Sequence, residues 1–168
     1  MSKKVRRFFK YYYLKFIRLK GDPETIARGI AIGTFIGITP TIPVHTVAIL
    51  LLTPLLRGNL IAAFLAGVVV CNPLTYFPQY YFSWLIGNWL TPNDLSWDRI
   101  SSIMAIVFSD AGYMTIFEKL SELGKDTIIV MLLGGFVLAA PFAIASYFIS
   151  LQFFRSLRTK RRKKHVLD

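Results

Sequence analysis

The stretch Gly37-Ile-Thr-Pro-Thr-Ile-Pro-Val-His-Thr-Val-Ala48 sets two prolines and a histidine inside an otherwise apolar run. Proline has no backbone donor and pushes the residue before it out of the helical region, so Pro40 and Pro43 stop a helix within a segment greasy enough for a bilayer. What surrounds that stop decides the fold.

The chain has 168 residues, of which 54% are hydrophobic and only 17% charged, with a mean hydropathy of +0.50. That balance belongs to a membrane protein. Uncharged runs extend from Gly29 to Leu56, from Gly58 to Asn93 and from Thr127 to Phe154. Each exceeds the roughly 20 apolar residues of a spanning helix. The single cysteine, Cys71, cannot form an internal disulfide, and no short apolar stretch with a cleavage site follows the basic start, so no removable signal peptide is expected.

The net charge of +11 is concentrated at the two ends: nine Lys and Arg lie at or before Arg28 and seven at or after Arg155. Basic residues beside apolar runs face the cytoplasm, which predicts a multi-pass protein of the inner membrane with both termini cytoplasmic. The segment from Thr91 to Asp126 carries six acidic residues against three basic ones and reads as extracytoplasmic. Trp84, Trp89 and Trp97 mark the interface between the second run and this segment. An odd number of crossings must then separate Arg28 from Asp94, so one of the first two runs should not cross. The run broken at Pro40 and Pro43 is the better candidate for a re-entrant hairpin, with arms of about 18 Å at 1.5 Å per residue; a kinked span is the alternative.

The expected fold is therefore an all-α integral membrane protein built from broken or re-entrant helix hairpins and transmembrane helices, with an amphipathic N-terminal helix. Residues 1–20 form a basic, aromatic interfacial helix suited to anionic phospholipids. Residues 21–154 form the membrane domain, comprising a hairpin over 26–56, an interrupted span over 60–90, an amphipathic segment over 91–126 and a transmembrane helix over 127–154. Residues 155–168 form a basic cytoplasmic tail.

A second interruption, Gly67-Val-Val-Val-Cys-Asn-Pro-Leu-Thr-Tyr-Phe-Pro78, predicts breaks at Pro73 and Pro78. Backbone freed inside a bilayer persists only where protein or a wet cavity satisfies it, and paired broken segments point to a binding site at the midplane of a transporter. The residues available are Thr39, Thr41, His45, Asn72 and Thr75, with Arg28 and Arg57 at the cytoplasmic mouths. Asn72 and Thr75 also suit a helix cap, His45 is an intramembrane titratable group with Thr46 beside it, and Gly33, Gly37, Gly67 and Gly134-Gly135 suit close helix approach.

Taken together, Ala27-Arg28-Gly29, Gly33-x-Phe35-x-Gly37, Pro40-x-x-Pro43, Leu55-Leu56-Arg57-x-Asn59 and Asn72-Pro73-Leu74-Thr75 resemble the bacterial domain of unknown function numbered 2062, over roughly Gly21 to Phe154. The resemblance implies a bacterial inner-membrane protein and brings no activity with it. The sequence offers no metal-ligand cluster, no phosphate-binding glycine loop and no nucleophile with its base, so neither an enzyme nor a cofactor is expected.

The reading that follows is a small transporter or flippase-like protein, a homo-oligomer, handling an anionic lipid or lipid-linked phosphate where the two broken helices meet. The alternative is a non-transporting scaffold or assembly factor that binds a protein partner or anionic lipid through its glycine faces and basic ends. A nucleic-acid binder is a third and weaker reading, because the charge clusters flank apolar runs.

Overall fold

The computed structural model describes residues 21–40, 44–92, 96–98, 100–101 and 124–165. The expectations for the helix over 1–20, for Thr41 and Pro43, and for most of 91–126 lie outside the described residues. Within them the chain is helical and has no strand. The helices are α1 (Pro23–Ile38), α2 (His45–Leu55), α3 (Leu60–Val70), α4 (Pro73–Leu90) and α5 (Gly124–His165).

α1 begins where its sequence prescribes. Asp22, in extended conformation, accepts the Glu24 amide at 3.4 Å; Pro23 supplies a preset φ in the first turn; and Glu24 meets the positive end of the helix dipole. The helix stops at Thr39, which Pro40 holds extended at φ −67° and ψ 132°. Both the amide and the hydroxyl of Thr39 donate to the Phe35 carbonyl, at 3.1 and 2.9 Å, so the helix end is satisfied without water.

α2 returns to the end at which α1 started. Its C-terminus closes with paired bonds from Arg57 N to Pro54 O at 3.0 Å and from Gly58 N to Thr53 O at 2.8 Å, a Schellman closure that needs one left-handed residue. That residue is Arg57, at φ 53°, and not the neighbouring glycine. Gly58 is committed to packing, since a Cβ on it would lie 3.1 Å from the Gly29 nitrogen. Asn59 then donates its amide to Thr25 O at 2.8 Å, which ties the turn to the first turns of α1, and its side chain caps α3 through Ala62 N at 3.0 Å.

α3 runs parallel to α1 at backbone contact. Gly29 faces Asn59 and Ala62, Gly33 faces Ala63, and Gly37 faces Gly67 and Val70; a Cβ on Gly33 would land on the Ala63 carbonyl oxygen. This is the small-residue seam that lets helices approach where no water drives their association. Ile26, Ile30, Ala62, Ala66 and Phe154 form one buried cluster, and Ile36, Ile49 and Ala63 form the other.

α5 lies antiparallel on α1. Its basic end pairs Arg158 with Asp22 at 2.8 Å and Arg155 with Glu24 at 2.9 Å; farther along, Phe136 stacks on Phe35 at 5.5 Å and Gly135 receives Pro40. The basic tail expected from residue 155 is thus helical through His165, a continuation of α5. α4 crosses the other part of α5, with Gly134 against Ser83 and Gly87 against Val130. Beyond α4 the chain turns back, and Trp97 packs among Phe77, Tyr81 and Trp84 with centroids 5.1 to 5.9 Å away, whereas Trp89 stands apart and exposed.

The axes of α3 and α4 differ by 89°. The break is confined to residues 71–72: Pro78, expected to interrupt the chain a second time, lies inside α4. One turn into a helix its missing N–H removes a single early hydrogen bond, a smaller loss than a central proline inflicts.

α5 over Asp126–Thr159, 34 residues, is long and apolar enough to cross a membrane, and α3 with α4 would make a second, broken span. Leu51, Leu55, Phe142, Phe148 and Ile149 are exposed on the outside, as apolar side chains facing lipid would be.

Candidate functional site

The two interruptions converge because the α1–α3 seam is parallel and in register. Gly37 is the penultimate residue of α1 and Gly67 lies one turn from the C-terminus of α3, and they face each other. The Cys71 thiol, just past α3, donates to the Gly37 carbonyl at 3.4 Å. From α2, Ile49 packs on the same spot, and the His45 Nε2 lies 4.0 Å from where a Gly67 Cβ would be. His45 is half-buried, with its Nδ1 3.4 Å from the Thr46 hydroxyl. Thr39, six residues before His45, is buried, its methyl turned to Gly135.

The second interruption satisfies its own backbone. Asn72 Oδ1 accepts the Thr75 amide at 3.3 Å, while Thr75 Oγ1 accepts the Asn72 amide at 3.2 Å, a reciprocal box with Pro73 at the first helical position. The carbonyls released at the end of α3 are taken up as well. Val69 O receives Asn72 Nδ2 at 3.1 Å, Val70 O receives Thr75 Oγ1 at 2.5 Å and Gln79 Nε2 at 3.2 Å, and Gly67 O receives the Cys71 amide at 2.7 Å. Of the two ways in which this break could be satisfied, by protein or by a wet cavity, the side chains of Asn72, Thr75 and Gln79 supply the first.

Gln79 was not singled out from the sequence. Its signal is its place one turn after Thr75, which puts both polar side chains on the helix face turned to the break.

The first interruption differs. Val44 precedes α2 with no side-chain cap, and α2 starts with His45. Orphan amides at a helix start attract anions, and the helix dipole adds to that attraction. Thr41 lies outside the described residues.

Arg28 and Arg57 are not brought to the breaks. Arg28 is partly buried, 3.8 Å from Glu24 one turn earlier, and Arg57 closes the α2–α3 turn beside the start of α1. Both belong to the end of the hairpin opposite Thr39. Among the described residues no three His, Cys, Asp or Glu side chains gather as metal ligands would.

The chain belongs to the family described as an uncharacterized protein conserved in bacteria, the domain of unknown function numbered 2062, whose model matches residues 6–163. No curated protein and no solved structure matches it.

Proposed function

Taking membership of that bacterial family as the premise, we propose that the protein is a multi-pass inner-membrane protein with both termini cytoplasmic, in which α1 and α2 form a re-entrant hairpin, α3 and α4 a broken span and α5 an unbroken one. In this reading it moves an anionic lipid or lipid-linked phosphate, whose charged group is met where the two breaks converge. The observation that carries the reading is the juxtaposition of His45 and the start of α2 with Gly37, Gly67 and Cys71. The amides of α2 and the imidazole of His45 meet the anion. Asn72 and Thr75 hold the shape of the break, and Arg28 and Arg57 anchor the hairpin at the cytoplasmic surface.

α5 supplies a ruler for depth. The 19 steps from Gly135, which faces Pro40, to Phe154 rise about 29 Å at 1.5 Å each, against a hydrocarbon core of about 30 Å. Tilting α5 until Thr127–Phe154 fits that core leaves Gly135 about two thirds of the way across. The first break thus belongs to the outer half of the bilayer, and a lipid would be engaged from the outer leaflet. A hairpin and two spans enclose no sealed path, so the working form is a homo-oligomer.

The scaffold alternative is left with its basic ends, because Gly33, Gly37 and Gly67 are used within the chain. The deciding experiment reconstitutes the protein in vesicles carrying a fluorescent anionic phospholipid and follows its exchange between leaflets by quenching of the outer one. Wild type accelerates exchange, and His45→Ala lowers the rate about ten-fold, the equivalent of one lost charge-assisted contact. Wild-type vesicles as slow as empty ones, or His45→Ala vesicles as fast as wild type, would refute the reading.

A further inference from the structure

At the end of the α1–α5 pair opposite the breaks, a cleft of about 420 Å³ opens between the first turn of α1 and α5, lined by Asp22, Pro23, Glu24, Arg155, Arg158 and Thr159. Its volume falls among small-molecule sites, roughly 300–1,000 Å³. Its charges are built in pairs, Arg158 Nη1 to Asp22 Oδ1 at 2.8 Å and Arg155 Nη2 to Glu24 Oε1 at 2.9 Å, with all four side chains about half exposed, at 45 to 59%. Exposed pairs of this kind are weak and exchange readily for better partners.

The two carboxylates and two guanidinium groups that line the cleft cancel, so a plain anion gains little: to reach the arginines it must displace Asp22, left with only the Glu24 amide, and Glu24, left with only the longer contact to Arg28. A group carrying a phosphate and a primary ammonium replaces both halves of each pair at once. The phosphate takes the planar donor forks of Arg155 and Arg158, and the ammonium donates to Asp22 and Glu24. A trimethylated ammonium has no N–H to donate and would look for aromatic faces, and none of the described residues that line the cleft is aromatic. Directly behind the cleft the α1–α5 seam is closed by the buried Ile26, Ile30 and Phe154, so acyl chains attached to such a headgroup would run over the outer face of α5, where Ile149 and Phe153 are exposed.

We propose that this cleft binds the phosphoethanolamine headgroup of a membrane lipid at the cytoplasmic surface. The site uses neither His45 nor the breaks, so it and the transport reading can fail separately.

The test is lipid binding to the full-length protein in detergent, read by native mass spectrometry with phosphatidylethanolamine, phosphatidylcholine, phosphatidylglycerol and free glycerophosphoethanolamine. Phosphatidylethanolamine should bind about ten-fold more tightly than the other two lipids and the free headgroup. Asp22→Asn and Arg158→Ala should each remove most of that preference, whereas His45→Ala should leave it intact. Because Arg158→Ala also loosens α1 from α5, Arg158→Lys serves as the second variant: it keeps the charge and the fold, loses the fork and should weaken binding several-fold. Equal binding of phosphatidylethanolamine and phosphatidylcholine, tighter binding of phosphatidylglycerol than of phosphatidylethanolamine to the His45→Ala variant, or full binding to Asp22→Asn would overturn the proposal. Free glycerophosphoethanolamine binding as tightly as the lipid would overturn a membrane source for the headgroup.

Discussion

Replacing Gly33 by alanine separates two opposed effects. In an isolated helix the change stabilises by about 0.5–1 kcal/mol, because glycine loses more backbone freedom on folding. In this fold the new Cβ would land on the carbonyl oxygen of Ala63 and sit 2.8 Å from its carbon, so α3 has to move. Overpacking of this kind costs about 1–3 kcal/mol, and the upper part of that range applies because the obstacle is backbone and cannot rotate away. The net expectation is a loss of about 1–2 kcal/mol, a five- to thirty-fold drop in the folding equilibrium. Gly37→Ala is the internal control: there the Cβ would meet the Val70 side chain at 3.3 Å, which can shift by a few tenths of an ångström. Overpacking and propensity should nearly cancel, within about 0.5 kcal/mol of wild type. Unfolding of the purified protein in mixed micelles, titrated with a denaturing detergent and followed by tryptophan fluorescence, measures both. If Gly33→Ala is as stable as wild type, or falls no further than Gly37→Ala, then α1 and α3 are not at backbone contact and the convergence of the breaks loses its basis.

Thr75→Ala should cost about 1 kcal/mol by removing one half of the reciprocal cap, while Thr75→Ser, which keeps the hydroxyl, should stay near wild type; thermal unfolding in detergent checks the pair. Arg57→Gly should stabilise by about 1 kcal/mol, since glycine takes the left-handed conformation without Cβ strain, and a loss of stability in the same assay would show that the arginine side chain matters more than its backbone. With Cys71 replaced by alanine, a cysteine at Arg57 should react with an impermeant thiol reagent only from the side that also labels Thr159→Cys, because Asn59 and Arg158 both bind the start of α1; labelling from opposite sides would eliminate the re-entrant hairpin.

What the sequence made legible was local. Thr39-Pro40 stopped a helix as expected because a proline acts on the residue just before it, and Asn72 and Thr75 were recognisable as a cap because their spacing of three is fixed by helix geometry. The glycines announced close approach, but spacing names a face and not its partner, so the parallel pairing of Gly33 with Ala63 came only from the fold. For the same reason the pairing of Asp22 and Glu24 with Arg158 and Arg155, across most of the chain, was invisible, and the basic tail read only as a cytoplasmic end able to meet anionic lipid or a partner. Pro78 misled because a proline's effect depends on where the helix starts, and α4 starts only five residues earlier.

These differences redistribute the chemistry between the two breaks. Unsatisfied peptide groups are not tolerated in hydrocarbon, and from that rule both interruptions seemed to require something polar from outside the backbone. At the second, three side chains supply it from the same chain, so substitutions at Asn72, Thr75 and Gln79 should act on stability first and on any activity only through it. At the first, Thr39 donates to the Phe35 carbonyl, Val44 gives the start of α2 no side-chain cap, and His45 is the titratable group standing there. A protein whose activity fell in step with stability at every one of these positions would have two structural breaks and no site between them. A His45→Ala variant that unfolds like wild type but has lost exchange would locate the chemistry at the first break alone.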